Sequence, residues 1–161
     1  MIKYRIGLGW DSHRLVQGKP LILGGVKIDS PVGLEGHSDA DVLSHAITDA
    51  ILGAAALGDI GTHFPDTDPQ WKDADSLQFL AHAEKLVCDL GFQVVNVDST
   101  VILQKVRLAE YRDTIRLKLA ETLRLHEKNI SVKFKTAEEV GPVGEGKSAE
   151  SHAVVLLQSK Y

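Results

Sequence analysis

Asp11, His13 and His45 are the three residues whose types and spacing best suit metal chemistry. Asp11 and His13 belong to Gly9–His13, where a short apolar strand is predicted to end, and His45 lies in a helical stretch. Residues two apart on an extended chain point to the same side, so both side chains can reach one ion. A carboxylate and two imidazoles supply three ligands to zinc and leave a fourth position open, as in catalytic sites. We therefore predict a zinc centre if the fold brings His45 to the Asp-x-His pair.

Two further polar residues lie close to His45, and each has two possible roles. His37 immediately precedes a predicted helix N-terminus, where backbone N–H groups favour anions. It either donates a hydrogen bond to a bound phosphate or serves as a cap or packing residue. Asp41 lies four residues before His45 and is its neighbour on a helix. It either orients the imidazole for metal binding or merely pairs with it.

Two polar segments at other element ends could bind a phosphorylated substrate. In 58–68, glycines flanking Asp59 allow a ligand to approach the backbone. The carboxylates there could grip a polyol or a divalent cation, or form ordinary Asx turns. In 135–139, Thr136 and Glu138 could serve a phosphate bound with a metal, or simply belong to a charged loop. Together with the zinc ligands, these groups indicate metal-assisted chemistry on a phosphorylated small molecule.

The elements that must position these residues alternate between strand and helix. Ser38 is the expected N-cap of the first helix, and 59–75 and 138–148 are expected to be loops. The order of elements predicts an α/β fold, an α+β sandwich with a single mixed β-sheet and helices on one face. We expect one domain over 1–161. Hydrophobic periodicity predicts helices at 38–56, 76–90 and 107–125, two short strands around Gly24-Gly25, and longer strands at 2–8, 92–103, 130–136 and 152–158.

Composition excludes several classes of protein. Hydrophobic residues make up 43% and charged residues 25% of the 161 positions, as in ordinary soluble globular domains. A net charge of −4 gives no electrostatic case for nucleic acid. Cys88 is the only cysteine, so no intrachain disulfide can form. We expect no signal peptide and no membrane-spanning segment, and therefore a cytoplasmic enzyme.

Four motifs, in this order and spacing, carry a resemblance that covers essentially the whole chain: Gly9-x-Asp11-x-His13, His37-Ser38-Asp39-x-Asp41-x-x-x-His45, Leu57-Gly58-Asp59-Ile60-Gly61 and Phe64-Pro65-Asp66-Thr67-Asp68. The chain resembles the 2-C-methyl-D-erythritol 2,4-cyclodiphosphate synthase family. The resemblance implies a lyase of the non-mevalonate isoprenoid pathway that converts 4-diphosphocytidyl-2-C-methyl-D-erythritol 2-phosphate to the cyclic diphosphate and releases CMP. It also implies a homotrimer built around packed sheets, with active sites between neighbouring subunits.

The resemblance further implies a role for each site residue. Asp11, His13 and His45 would hold Zn²⁺, and Glu138 would be the protein ligand of a Mg²⁺ or Mn²⁺ ion bridging the substrate phosphates. His37 and Thr136 would be the catalytic residues, stabilising the transition state by hydrogen bonds to phosphate oxygens. The methylerythritol pocket would be lined by Ser38, Asp59, Ile60, Gly61, Phe64, Pro65, Asp66, Thr67 and Asp68. The cytidine diphosphate end would be held by Leu103, Lys105, Arg107, Leu108, Ala109, Phe134, Lys135 and Thr136.

The chain departs from the family pattern in two segments. Lys105-Val106-Arg107 stands where the family usually has Ala-Pro-Lys, and Arg107 keeps a cation there. In 140–148 the family has an aromatic residue at Pro142, an arginine at Glu145 and a glutamate at Lys147. That arginine normally faces the anion-binding end of a cavity on the trimer axis, so the opposite charge of Glu145 is unfavourable for anions there. None of the predicted metal ligands is affected.

Two other functions remain open at this level. A non-catalytic module that binds metal and phosphate could retain the same ligands, and the altered 140–148 segment is its only support. A zinc-dependent phosphohydrolase would need a general base for water, and no further carboxylate is obviously reserved for that role. The resemblance favours the cyclase over both.

Overall fold

The computed structural model describes residues 1–160; position 161 of the predicted 1–161 domain lies outside the described residues. Short 3₁₀ turns occur at Pro69–Trp71, Ala109–Tyr111 and Glu127–Asn129. The strands and helices follow in the order β1 Tyr4–Gln17, β2 Leu21–Leu23, β3 Val26–Ile28, β4 Val32–Glu35, α1 Val42–Ala54, α2 Ile60–His63, α3 Ser76–Asp89, β5 Phe92–Ile102, α4 Arg112–Leu123, β6 Ile130–Lys135, α5 Gly141–Gly144 and β7 Ser148–Ser159.

A five-stranded mixed sheet in the order β4-β1-β7-β5-β6 forms the centre of the fold. β1 pairs antiparallel with β4 and β7, and β7 pairs antiparallel with β5. β5 and β6 are parallel, and α4 lies in the crossover that a parallel pair requires. β2 and β3 form a separate hairpin around Gly24-Gly25. The predicted fold class is confirmed.

The two faces of the sheet have different environments. The helices cover one face, where α1 packs on β1 and β7, and buried side chains such as Ile47, Leu80 and Val155 form the core. Side chains alternate between faces along a strand, so Ile6, Leu8 and Trp10 of β1 lie on the opposite face. They are 71%, 70% and 53% exposed. No helix among the described residues is long and apolar enough to cross a membrane.

The N-terminus of α1 is capped by Asp41, so the prediction of Ser38 as its N-cap is wrong. The fully buried Asp41 carboxylate accepts hydrogen bonds from Ser44 N at 3.0 Å, Gly24 N at 3.0 Å and Gly25 N at 2.7 Å. It therefore bonds to the β2–β3 turn and to its own helix rather than to the His45 imidazole. Burial raises the pKa of Asp41 above its ordinary value.

Several predicted boundaries were wrong where long-range pairing extends an element. The first strand was expected to end near Leu8, but β1 continues to Gln17 because its second half pairs with both β7 and β4. Asp11 and His13 thus lie within a central strand. The final strand is likewise longer than 152–158. Within the predicted 138–148 loop, α5 precedes an exposed ion pair between Glu145 and Lys147.

Candidate metal centre and adjoining cavities

Side chains from β1 and α1 form the candidate metal centre. Asp11 Oδ2 is 2.9 Å from both His45 Nδ1 and His13 Nε2, and these two nitrogens are 3.1 Å apart. Two ligands of a tetrahedral zinc ion, each about 2.1 Å from the metal, lie about 3.4 Å apart, within about 0.5 Å of these spacings. Within residues 1–160 this is the one group of three or more His, Cys, Asp or Glu side chains whose ligand atoms converge, all within 4.8 Å of one another. The predicted approach of His45 to the Asp-x-His pair is confirmed.

The remaining nitrogen of each imidazole faces a hydrogen-bond acceptor. His13 Nδ1 is 2.9 Å from the Glu35 carbonyl oxygen, and His45 Nε2 is 2.7 Å from Ser76 Oγ. When those nitrogens donate, the other nitrogen of each neutral ring directs a lone pair into the cluster. Three lone-pair donors then face one point, an arrangement that a cation satisfies. One carboxylate and two imidazoles suit zinc.

The charges at the centre favour cation binding. Burial opposes ionisation of Asp11, but hydrogen bonds from His13 and His45 outweigh it and lower the pKa of this carboxyl to about 2. Burial also opposes the charged form of His13, yet the hydrogen bond with Asp11 and its charge raise the pKa of that imidazole above 6.5. The carboxylate is therefore ionised across the physiological range, while the neutral His13 ring forms at a higher pH than that of an ordinary imidazole.

A cavity of about 490 Å³ adjoins the metal centre. Of the residues predicted to bind metal, to act in catalysis or to bind the methylerythritol part of the substrate, ten line it. Trp71 and Phe79 also line it. The ten predicted residues are Asp11, His13, His37, Ser38, His45, Ile60, Gly61, Phe64, Pro65 and Asp66.

The other residues predicted from this loop, Asp59, Thr67 and Asp68, do not line the cavity, and the two aspartates cap short helical turns of the loop. Asp59 caps α2, accepting hydrogen bonds from the Thr62 amide at 2.9 Å and the Thr62 hydroxyl at 2.8 Å. Asp68 caps the next turn, and His37 Nε2 lies 3.2 Å from its carbonyl oxygen. Thr67 is exposed between them. A hydrogen bond from His37 to a phosphate would accordingly come from Nδ1.

An aromatic cluster holds the same loop against α3. Phe64 stacks on Phe79 with ring centroids 4.3 Å apart, and Trp71 meets Phe64 edge-on at 5.1 Å. His82, also on α3, meets Phe64 edge-on at 5.3 Å. Offset and edge-to-face contacts of this kind stabilise beyond their buried area. The cavity wall is therefore preformed.

A second cavity, of about 360 Å³, collects the residues predicted to hold the nucleotide. Ala109 does not line it and begins the adjacent 3₁₀ turn. The Arg112 guanidinium lies over the Phe134 ring, 5.3 Å from its centroid and within the distance of about 6 Å at which cation–π attraction acts. The predicted lining residues are Leu103, Lys105, Arg107, Leu108, Phe134, Lys135 and Thr136, joined by Gln104 and Val106.

Gln104 also shapes the turn that carries Thr136 and Glu138. Its Oε1 accepts hydrogen bonds from Ala137 N at 3.1 Å and Glu139 N at 3.4 Å. Between them Glu138 has a positive φ of 50°, a conformation that non-glycine residues adopt at a cost. Thr136 Oγ1 donates to Glu138 Oε1 at 2.9 Å. Glu138 is exposed and lies outside the zinc cluster.

The two cavities have no lining residue in common. Asp11, Ser151, Val101 and Phe134 form one row across the sheet, so Asp11 and Phe134 are three strands apart. Three strand spacings amount to about 14 Å. The metal centre and the Thr136 turn of one chain are too far apart to grip a single phosphate group.

Comparison with known proteins assigns the chain to a family. The model of the YgbB family matches residues 4–158, nearly the whole chain. The chain belongs to the YgbB family. A 2-C-methyl-D-erythritol 2,4-cyclodiphosphate synthase from Solibacter usitatus is 64% identical over 158 residues, covering 98% of this chain and 99% of its own length.

Similar solved structures agree with this assignment. A 2C-methyl-D-erythritol-2,4-cyclodiphosphate synthase in its CDP-bound form superposes with a TM-score of 0.88 at 42% identity, covering 95% of this chain and 99% of that one. The bifunctional IspDF of Campylobacter jejuni superposes with a TM-score of 0.95 at 40% identity. The match covers 99% of this chain and 43% of that longer one.

The sequence of this YgbB-family chain did not predict the residues that hold the site residues in place by hydrogen bonds. Ser76 contacts His45 and also bonds to Asp39, and Gln104 bonds to the Thr136 turn. Ser76 and Asp39 are 37 positions apart, and Gln104 is 33 positions from Ala137. The sequence carries no local signal for such pairs. Phe79 was identified neither as a core position nor as a cavity residue.

Proposed function

We propose that this protein is a 2-C-methyl-D-erythritol 2,4-cyclodiphosphate synthase. Its substrate would be 4-diphosphocytidyl-2-C-methyl-D-erythritol 2-phosphate, and its products the cyclic diphosphate and CMP. The observation that carries the proposal is the convergence of Asp11, His13 and His45 beside a preformed cavity in a chain of this family. The name of the Solibacter usitatus relative and the CDP in the solved relative support it.

The reaction is an intramolecular phosphoryl transfer. An oxygen of the 2-phosphate forms a bond to the β-phosphorus, the bond from that phosphorus to the oxygen bridging to the α-phosphorus breaks, and CMP leaves with the bridging oxygen. No oxidant or water is consumed. Such a transfer needs aligned groups and neutralised charge rather than covalent participation of the protein.

A zinc ion held by Asp11, His13 and His45 would bind a phosphate oxygen and offset its charge. His37 would donate a hydrogen bond to a phosphate from Nδ1, because its Nε2 faces the Asp68 carbonyl oxygen.

The cavity beside the metal centre suits a small branched polyol. Phe64, Trp71 and Phe79 offer an apolar wall for the methyl and methylene groups, while Ser38 and Asp66 offer hydrogen-bonding groups for the hydroxyls. We assign the methylerythritol part of the substrate to this cavity. Asp59, Thr67 and Asp68 would contribute through the shape of the loop.

The second cavity is assigned to the cytidine diphosphate end. Lys105, Arg107 and Lys135 supply positive charge for the diphosphate, and Thr136 presents its hydroxyl at the same rim. Glu138 would be the protein ligand of a second ion, Mg²⁺ or Mn²⁺, since such ions prefer oxygen ligands.

We propose that the active site is completed by a second copy of the chain, in a homotrimer. Because Asp11 and Phe134 of one chain lie about three strand spacings apart, some 14 Å, one chain cannot grip the reacting phosphates from both its metal centre and its Thr136 turn. We therefore assign the metal centre and the nucleotide cavity of each active site to neighbouring copies. The uncovered sheet face with Ile6, Leu8 and Trp10 supports this assembly, because a monomer would leave these side chains in water. A cytoplasmic location stays a prediction.

A product analysis separates this function from its two rivals. The purified protein is incubated with the diphosphocytidyl substrate and Mg²⁺, CMP is quantified, and the other product is identified by phosphorus NMR. We expect the cyclic diphosphate, and His45→Ala should lower the rate by at least about 100-fold, as when a charge-stabilising group is lost.

His126→Ala is the matched control and should retain the rate, because His126 is an exposed histidine whose Nδ1 accepts from Lys128 N. A linear, hydrolysed product would indicate a phosphohydrolase, and CDP and zinc binding without turnover would indicate a binding module.

A further inference from the structure

His45 is connected through its outer nitrogen to a buried pair of residues from two distant segments. Its Nε2 lies 2.7 Å from Ser76 Oγ, at the first residue of α3, and the Ser76 side chain is fully buried. The Ser76 hydroxyl donates to Asp39 Oδ1 in a short hydrogen bond. The contacts therefore run from the metal centre through His45 and Ser76 to the Asp39 carboxylate.

The donors around Asp39 fix which atom donates and which accepts in this series of hydrogen bonds. Asp39 also accepts from the Ser76 amide at 3.1 Å and from the Asp41 amide at 3.1 Å, so its carboxylate is held by three donors. An ionised carboxylate only accepts. The Ser76 hydroxyl proton is thus committed to Asp39, and the Ser76 oxygen is left to accept the N–H of His45 Nε2.

We propose that Ser76, held by Asp39, is a positioning residue that fixes the His45 ring with Nδ1 toward the metal. With its proton on Nε2, the neutral ring has its lone pair on Nδ1, the atom 2.9 Å from Asp11 and 3.1 Å from His13. Partners behind a ligating histidine set its tautomer and orientation and strengthen its binding. The inference rests on the metal centre of the proposed function.

The equivalent contact of His13 is made by the backbone carbonyl of Glu35, which no substitution removes. Ser76 and Asp39 are therefore the side chains through which support of the two histidines can be tested. Ser38 Oγ lies 3.1 Å from the same His45 nitrogen and is a second, longer contact that remains when the Ser76 hydroxyl is removed.

The test is the zinc affinity of Ser76→Ala, measured by competition with a chromophoric chelator. This change removes the hydroxyl but keeps the Ser76 amide that bonds to Asp39. We expect zinc affinity to fall between about 10- and 100-fold. Asp39→Asn, which replaces a charged acceptor with a neutral one, should weaken zinc in the same direction. Ser99→Ala is the matched control, because Ser99 is also buried and its hydroxyl donates to a backbone oxygen, Ser131 O at 2.8 Å.

A second readout separates positioning from general loosening of the fold. The cobalt(II) form of each variant should show a changed d–d absorption for Ser76→Ala and an unchanged one for Ser99→Ala, with the melting temperatures of the metal-free forms recorded alongside. Zinc affinity of Ser76→Ala and Asp39→Asn within twofold of the unmodified protein would overturn the inference alone. Failure of the unmodified protein to bind zinc would overturn the metal centre, and the inference with it.

Discussion

The backbone of Gly9 in β1 lies directly against the backbone carbonyl of Ala46 in α1. A Cβ atom on Gly9 would stand 1.8 Å from the Ala46 oxygen, and a Cβ on Gly7 would stand 1.9 Å from the Ala50 oxygen one turn later. Only glycine permits such an approach of a helix to a strand. Because His45 immediately precedes Ala46 and Asp11 lies two residues after Gly9, this contact sets the distance between the metal ligands.

Gly9→Ala should therefore damage both the fold and the metal centre. The added methyl group meets backbone rather than a flexible side chain, so α1 must move away from the sheet. We expect the free energy of unfolding, measured by urea titration, to fall by about 3 kcal/mol, at the upper end for an overpacked core. Zinc affinity should fall as well, because His45 moves away from Asp11.

Gly53→Ala is the control for that change. Gly53 lies in the same helix, and a Cβ there would meet nothing within 4 Å. Replacing an unconstrained helical glycine with alanine stabilises by about 0.5–1 kcal/mol. Equal destabilisation by the two substitutions would contradict the close approach as the cause.

Asp41→Ala should be costly because one buried carboxylate joins two elements. It removes the N-cap of α1 and leaves the Gly24 and Gly25 amides without their acceptor. A lost cap costs about 1 kcal/mol, and each unsatisfied buried donor costs about 1–3 kcal/mol. We expect the free energy of unfolding, measured by urea titration, to fall by about 3 kcal/mol or more.

Asp75→Ala is the control. It removes the exposed N-cap of α3, which accepts from Leu77 N, and should cost only about 1 kcal/mol. Similar losses for both variants would show that Asp41 acts as a cap alone.

The rise in melting temperature caused by zinc should grow as pH rises above 6.5, the ordinary pKa of histidine, and through the raised pKa of His13. The pKa of His13 is raised above 6.5 in the folded, metal-free protein, so its stabilising contribution is complete below 6.5 and is lost as pH rises through the raised value. Zinc requires the neutral ring, so its binding strengthens over the same interval. Asp11, with a pKa of about 2, stays ionised throughout.

Melting curves with and without zinc, recorded at intervals across that range, measure this difference. His45→Ala is the control, since it removes a metal ligand and should show little zinc-induced shift at any pH. A zinc-induced shift in the unmodified protein that does not change with pH would contradict His13 as a zinc ligand with a raised pKa.

The parts of the structure that could be predicted from sequence depend on local patterns. The apolar repeat of 76–90 predicted α3 to within a residue at its end, and the Gly24-Gly25 turn between short apolar runs predicted the β2–β3 hairpin. The Asp11-x-His13 spacing likewise placed two ligands on one side of an extended chain. These features need only neighbours in the sequence.

The features that could not be predicted depend on distant partners. Ser38 has the residue type of an N-cap, but Asp41 takes that role because the Gly24 and Gly25 amides, 16 or 17 positions away, also bond to it. The polar second half of β1 does not alternate in hydrophobicity, and it is a strand because β4 and β7 pair with it on both sides. Ser76 meets His45 only in the folded chain.

Leu8→Lys should break up the proposed trimer. Leu8 is 70% exposed on the sheet face that no helix covers, beside Ile6 and Trp10 in β1. A charge there would be buried without a partner if copies of the chain pack on this face. We expect a monomer by light scattering after gel filtration, with CMP release lost because each active site needs two copies. Zinc binding should persist, since all three ligands come from one chain.

Leu117→Lys, which changes a leucine 54% exposed on α4, is the control and should leave the assembly intact. A Leu8→Lys protein that stays trimeric would contradict packing through this face, and a monomer that still releases CMP would contradict an active site shared between subunits.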